Sequence, residues 1–166
     1  LNRLGLDYVD LLLIHWPNPE VPIRESITAL CSTKQRGLTK HIGFSNFTNA
    51  MVEEAMKHAT EPIVCHQFEY HPHLNQSKMM ATTKKHGLAF VAYCPIGRGN
   101  VGGVIVEPVL QEIAATKGKT PAQVALRWNV QQGNVVIPGS SKKERLKENI
   151  SIFDFELSDD EMKRIS

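Results

Sequence analysis

Five short runs of aliphatic and aromatic residues, each bounded by turn signals and separated by amphipathic stretches, constrain this chain more than any other feature. They fall at Tyr8 to Ile14, His41 to Phe44, Ile63 to Glu69, Ala89 to Tyr93 and Val135 to Ile137. Their brevity and β-branched content read as strands, and the three-to-four-residue apolar periodicity between them reads as helices. Helix starts and stops are written in local chemistry. Gly37 follows the series Ile23, Ile27, Leu30; Thr48 precedes Met51, Val52, Ala55 and Met56; Ser77 precedes Met80, with Gly87 closing. After a helix near Val109 to Thr116, Thr120 caps another and Pro121 fills its first position. A helix over Lys142 to Asn149 follows the last strand, and Ser158-Asp-Asp-Glu161 opens a short one as a capping box. Strand and helix alternate throughout, the pattern of an α/β fold with a parallel sheet.

Alternation of this kind fits either an open doubly wound sheet or a (β/α)8 barrel. The strand ends favour the barrel. His15, Ser45-Asn46, Gln67 with Glu69, Tyr93 and Ser140-Ser141 all stand at or just beyond the carboxyl ends of successive runs. A barrel collects polar groups from many strands at that face, whereas an open sheet concentrates its site at one switch point. The first run, VDLLLIHWP, is the type example: an apolar strand, then an imidazole and an indole before a proline. A barrel of this class has about 250 residues. The chain has 166 and opens on LNRLGL, with no initiator Met and no signal peptide, so the expected picture is strands 4 to 8, with the N-terminal strands absent. No linker divides the series, and residues 1–166 read as the C-terminal portion of a single barrel domain.

Charge and cysteine usage narrow the partners. A formal net charge of +2, with no Lys/Arg cluster beyond Lys142-Lys143-Glu144-Arg145, leaves no electrostatic footprint for nucleic acid. No apolar run approaches the about 20 residues that span a bilayer. Small molecules remain as the expected partners. Cys31, Cys65 and Cys94 are odd in number and widely spaced, which suits a reducing compartment, and the cytoplasm is expected.

Two motifs point elsewhere and fail on context. Gly97-Arg-Gly99-Asn-Val-Gly102 matches the dinucleotide pattern G-x-G-x-x-G, but Pro95 separates it from the strand and no helix starts at its third glycine. It reads as a surface loop or as a loop whose amides bind an anion. Cys65-His66 with His71 and His73 suggests a metal, yet adjacent strand residues face opposite ways and the spacing matches no zinc pattern; no metal is expected. Cys65, Gln67 and Glu69 share one face of their strand. An inward carboxamide at Gln67 either satisfies its neighbours or binds a ligand amide, and Tyr93 either packs or offers a stacking platform.

The runs LGLDYVDLLLIHWP, IGFSNF, HQFEYHPHLNQ, VAYCPIGRG, TPAQVALRW and VVIPGSSKKERLKEN, followed by FELSDDEM, together resemble the aldo-keto reductases, most closely the bacterial 2,5-diketo-gluconate reductases and small-aldehyde reductases. The resemblance covers essentially the whole chain. It implies a TIM barrel that binds NADP(H) across its carboxyl face and reduces the carbonyl of an aldehyde or ketone to an alcohol. Carried over by position, His15 is the catalytic histidine that orients the carbonyl, and Trp16 walls the substrate pocket. Ser45, Asn46 and Gln67 hold the nicotinamide carboxamide, and Tyr93 stacks on the ring. Ile96 and Gly97 lie in the pyrophosphate loop, and Ser140, Ser141, Arg145, Glu148 and Asn149 surround the 2′-phosphate and adenine. The complete enzyme is expected to be a monomeric NADP-dependent oxidoreductase acting on a small carbonyl substrate.

Two positions depart from the family pattern. Cys94 stands where the family commonly has Ser, and Gly139 where it commonly has Lys. The family's Asp, Tyr and Lys belong to strands preceding Leu1. Tyr8 lies at the wrong end of its strand to replace that tyrosine, so the segment alone is expected to be inactive. The alternative expectation is a member of the same barrel family serving as a non-catalytic NADP-binding or structural protein.

Overall fold

The computed structural model describes residues 1–97 and 103–166. Most of the G-x-G-x-x-G stretch lies outside the described residues; Gly97 lies inside them. The five strands are β1 Val9–Ile14, β2 Thr39–Ser45, β3 Ile63–Glu69, β4 Ala89–Tyr93 and β5 Val135–Ile137, in one sheet in chain order. The fold class is α/β with a parallel sheet. Contacts divide the chain into two compact units, Leu1–Phe68 with Ser77–Phe90, and Glu69–Gln76 with Val91–Ser166.

In the first unit β1 pairs in parallel with β2, setting Leu12 beside Ile42 and Ile14 beside Phe44. β2 pairs in parallel with β3, setting Phe44 beside His66 and Ser45 beside Gln67, with a register shift at Ile42/Gly43. Gly43 is required there. A Cβ would lie 2.7 Å from the Cys65 carbonyl oxygen and 2.8 Å from both Cys65 Sγ and Leu13 Cδ2, so only glycine lets the strands close. The helices α1 Ile23–Gln35, α2 Asn49–His58 and α3 Ser77–Lys85 accompany these strands. Ile27, Leu30 and Cys31 of α1 and Val52 and Ala55 of α2 supply one apolar stripe each to a core shared with Ile42, Phe44, Phe47, Ile63 and Leu88. The Thr48 hydroxyl accepts from Met51 N at 3.3 Å, the cap that its position in the sequence predicts.

Within that core stands a histidine. His66 is fully buried, its ring 5.0 Å from that of Phe44 and 4.8 Å from that of Phe68. Its Nδ1 lies 3.5 Å from Thr83 Oγ1, and its Nε2 has no hydrogen-bond partner among the described residues. Burial disfavours the imidazolium and pushes its pKa down to about 4.

In the second unit the part of β4 from Val91 to Tyr93 runs parallel to β5, with Val91 beside Val135 and Tyr93 beside Ile137. The helices α4 Pro108–Lys117 and α5 Pro121–Gln131 lie between these strands in the chain, and α6 Lys143–Ile150 and α7 Asp159–Ile165 follow β5. α5 is the hub, burying Gln123, Val124, Ala125, Leu126, Trp128 and Asn129. Trp128 stacks on Tyr70 at 5.1 Å and donates from Nε1 to Ser166 Oγ at 3.2 Å. Capping boxes open both α5, at Thr120 and Gln123, and α7, at Ser158 and Glu161.

The sequence-based boundaries hold within a residue or two. β2 extends beyond His41–Phe44 at both ends because Thr39 and Ser45, both buried, pair as strand residues despite being polar. Among the described residues two single 3-10 turns, Asn2–Leu4 and Val104–Val106, are not legible in the apolar pattern; the first ends on Gly5 at φ 64°. Among the described residues no helix is long and apolar enough to cross a membrane.

The buried imidazole makes stability pH-dependent. His66 stays neutral when folded, while in the unfolded chain it takes up a proton near its ordinary 6.5, so acidification favours unfolding. The folded state loses stability as pH falls through 6.5 and the loss levels off below about 4, reaching at most about 3 kcal/mol for this group. His66→Gln is expected to flatten the chemical-denaturation stability profile between pH 7 and pH 4.5. An unaltered slope refutes the assignment.

Candidate functional site

In the first unit, parallel pairing brings the carboxyl ends of β1, β2 and β3 to one edge, and polar residues follow each apolar strand. β1 leads into His15 and Trp16, both exposed, their rings 6.5 Å apart and tilted by 54°. β2 ends at Ser45, fully buried, and hands over to Asn46. Asn46 is the knot of this edge. Its Nδ2 donates to the His15 carbonyl at 2.9 Å and to Ser45 Oγ at 3.1 Å, and its backbone N–H donates to the Gln67 carbonyl at 2.9 Å. It adopts φ 62°, a left-handed conformation that Asn tolerates better than most residues. One residue therefore ties together the strand ends that carry His15, Ser45 and Gln67.

The second unit holds a cavity of about 400 Å³. Its walls come from four places: Ile96 after β4, with Ile105; Thr120, Pro121 and Ala122 at the start of α5; Gly139 and Ser140 after β5; and Arg145, Glu148 and Asn149 on α6. The spacing of three and four residues puts the last three on one helix face. Ser140 Oγ accepts from Lys142 N at 3.1 Å, and the Thr120 hydroxyl donates to Glu148 Oε1. A Cβ added at Gly139 meets nothing within 4 Å, so a side chain is sterically admissible there.

Of the residues singled out by sequence, the cavity gathers Ile96, Ser140, Arg145, Glu148 and Asn149; Gly97 and the exposed Ser141 do not line it. Gly97 instead closes a turn, its N–H donating to the Cys94 carbonyl at 2.8 Å with φ 70°. A Cβ there would lie 3.1 Å from Val104 Cγ2, close enough that the valine would have to give way slightly, and the positive φ is what favours glycine. Tyr93 is half-buried, and its carbonyl accepts from Tyr70 N at 3.3 Å. Sequence reasoning missed Ile105, Thr120, Pro121 and Ala122 as cavity walls. The signal at Thr120-Pro121 was read as a helix start, which it is, and nothing local announces that the start faces a cavity.

Among the described residues no group of three or more His, Cys, Asp and Glu side chains is placed to hold a metal. Cys65 is buried in apolar surroundings that push its thiol pKa up. His71 and His73 each face their own carboxylate, Glu69 at 3.5 Å and Glu107 at 2.7 Å. Burial lowers the pKa of His71, with Glu69 acting in opposition.

The family model described as the aldo/keto reductase family matches residues 1–166. An aldo-keto reductase of Mycobacterium avium is 43% identical over 166 residues, covering 99% of this chain and 57% of the relative. An uncharacterized oxidoreductase of Bacillus subtilis is 42% identical over 165 residues, covering 99% and 58%. Among solved structures, an aldo/keto reductase from Brucella melitensis superposes with a TM-score of 0.89 at 38% identity, covering 99% of this chain and 62% of that one. The aldose reductase of Schistosoma japonicum superposes with a TM-score of 0.91 at 31% identity, covering 99% and 59%. The chain thus spans less than two thirds of the length of these relatives.

The knot at Asn46 separates two costs. Asn46→Ala removes the side-chain donor and sets a β-carbon residue without compensation at φ 62°, whereas Asn46→Gly removes the donor but suits the backbone. Both variants are expected to be less stable than the parent. The alanine variant is expected to be the worse by about 1 kcal/mol in denaturant titration. Equal stabilities would show that the left-handed backbone contributes nothing.

Proposed function

The chain belongs to the aldo/keto reductase family, and from that premise we propose that it forms part of an NADP(H)-dependent oxidoreductase that reduces aldehydes or ketones to alcohols. In this reading its strands are strands 4 to 8 of a (β/α)8 barrel. The observation that carries the cofactor assignment is the cavity of about 400 Å³ in the second unit. Its donor set suits a phosphorylated adenosine. The Arg145 guanidinium and Ser140 hydroxyl are chemically matched to a 2′-phosphate, Glu148 and Asn149 to the hydrogen-bonding edge of adenine, and Ile96, Ile105, Pro121 and Ala122 to its faces. Ser141 is assigned to the 2′-phosphate segment through its hydroxyl, and Gly97, whose N–H closes the turn onto Cys94, to the pyrophosphate loop by its position.

The strand-end group of the first unit takes the reacting end. Ser45, Asn46 and Gln67 hold the nicotinamide carboxamide, and Trp16 walls the substrate pocket; Tyr93, which belongs to the second unit, is assigned to the nicotinamide ring by its family position alone. Asn46 does this while its side chain also bonds the His15 carbonyl, so the cofactor contact and the placement of the catalytic residue share one side chain. When bound, the reduced nicotinamide supplies a hydride. His15 donates a hydrogen bond to the carbonyl oxygen, orienting it and stabilising the negative charge that develops there.

A proton must also be supplied. The three tyrosines offer no evident donor: Tyr70 is buried with its hydroxyl donating to Gln132 Oε1 at 2.9 Å, Tyr8 precedes β1 with Lys40 over its ring at 4.5 Å, and Tyr93 is assigned to stacking. The 166 residues by themselves are therefore proposed not to turn over carbonyls. A small carbonyl substrate, a monomeric complete enzyme and a cytoplasmic setting complete the reading; the cysteines Cys31, Cys65 and Cys94 are all free thiols, as a reducing compartment favours.

In the protein that turns over, His15→Ala is expected to lower kcat/KM for carbonyl reduction by about 10² to 10³ with NADPH affinity little changed. Wild-type turnover would remove His15 from the mechanism. For cofactor choice, Arg145→Ala is expected to cut the NADPH over NADH affinity preference by about tenfold to a hundredfold, because hydrogen bonds to charged groups contribute roughly 1.5–3 kcal/mol. Gly139→Lys, into open space, is expected to tighten NADPH and make its binding more salt-sensitive. Fluorescence titration of both cofactors decides; an unaltered NADPH:NADH ratio in Arg145→Ala contradicts the assignment.

A further inference from the structure

We propose that Thr120 and Gln123 are positioning residues for the adenine base: Thr120 fixes the Glu148 carboxylate and Gln123 the Glu148 main chain at the cavity wall, so that the carboxylate accepts from the exocyclic amine. The inference rests on the NADP(H) reading of the cavity and adds residues to it that act through Glu148.

The hydrogen bonds divide by purpose. Capping α5 needs the Thr120 oxygen, which accepts from Gln123 N at 3.2 Å, and the Gln123 carboxamide oxygen, which accepts from Thr120 N at 3.0 Å. That exchange satisfies two orphan N–H groups and is complete in itself. The hydroxyl proton of Thr120 and the carboxamide NH₂ of Gln123 are left over, and both are directed to one short stretch of α6 and its end. The Thr120 hydroxyl donates to Glu148 Oε1, while Gln123 Nε2 donates to the Glu148 carbonyl at 3.1 Å and to the Ser151 carbonyl at 2.9 Å. One residue holds the side chain of Glu148 and the other holds its main chain.

The consequence is preorganisation. A glutamate on a helix surface samples several rotamers, and ordering it opposes ligand binding. Anchoring Oε1 restricts those rotamers in advance and leaves Oε2 with its own acceptor sites. Gln123 is buried, and Glu148 is half-buried and lines the cavity beside Asn149 and Thr120. A carboxylate held there accepts from an amine and repels a carbonyl oxygen, so the arrangement selects a 6-amino purine over a 6-oxo purine.

The test compares NADPH with its hypoxanthine counterpart, in which the 6-amino group is replaced by oxygen, by fluorescence titration. The unchanged protein is expected to favour NADPH by about tenfold. In Thr120→Val that ratio is expected to fall to within about twofold of one, and in Thr120→Ser to be restored. Thr120→Asp retains a capping oxygen, so α5 stays capped, but it places a like charge against Glu148 and is likewise expected to collapse the ratio. Loss of capping alone would weaken both nucleotides together and leave the ratio intact. A ratio near one in the unchanged protein, or an unchanged ratio in Thr120→Val and Thr120→Asp, overturns the positioning role. If NADPH binds with the expected dependence on Arg145 in that case, the cofactor reading survives; if the unchanged protein binds neither nucleotide, both fall.

Discussion

Parallel pairing of β1 with β2 and of β2 with β3 is the constraint from which the rest of the first unit follows. Parallel strands cannot be joined by tight turns, so the connections become helices, and the apolar stripes of those helices bury the sheet. Parallel strands also end together. The last residues of β1, β2 and β3 reach one edge, and the chain must leave the sheet there with its polar groups satisfied. Gly43 is the point where this geometry is tightest, because two strands and Leu13 occupy the volume a Cβ would need.

The price of bringing strand ends together is visible at Asn46 and Gly97. Both adopt left-handed backbone conformations immediately after a strand or its turn, and both are held by specific hydrogen bonds, Asn46 to the His15 and Gln67 carbonyls and Gly97 to the Cys94 carbonyl. At Asn46, a non-glycine residue, strain of this kind persists only where the surroundings over-determine it, whereas Gly97 takes the same region without a β-carbon penalty. His66 carries a different cost. It sits on the strand face opposite Gln67, among aromatic rings, and its burial keeps it neutral. It contributes packing and acid sensitivity to the unit rather than chemistry to the site.

Much of this was legible in the sequence, and the reasons are specific. β3, β4 and β5 were read at their observed bounds because apolar runs of that length between turn signals have one interpretation once helices alternate with them. Thr48, Thr120 and Ser158 were legible as caps because capping is a local exchange of hydrogen bonds. His15, Ser45, Asn46 and Gln67 were legible as strand-end residues, but their connection through the Asn46 side chain and backbone N–H was not, since the side chain alone joins residues 31 apart. The same holds for Thr120 and Glu148, which are 28 apart in sequence, and for Ile105, whose turn has no apolar periodicity to announce it. Local chemistry was readable; tertiary use of the same side chains was not.

In the proposed reading the second-unit cavity receives the phosphorylated adenosine end of a dinucleotide. Backbone hydrogen exchange with and without saturating 2′,5′-ADP, which carries that end and no nicotinamide, tests it most directly. The account predicts slowed exchange at the start of α5 around Thr120 to Gln123 and along residues 139–149, with α1 and α2 unchanged. Binding without protection in residues 139–149, or protection confined to the first unit, would contradict it.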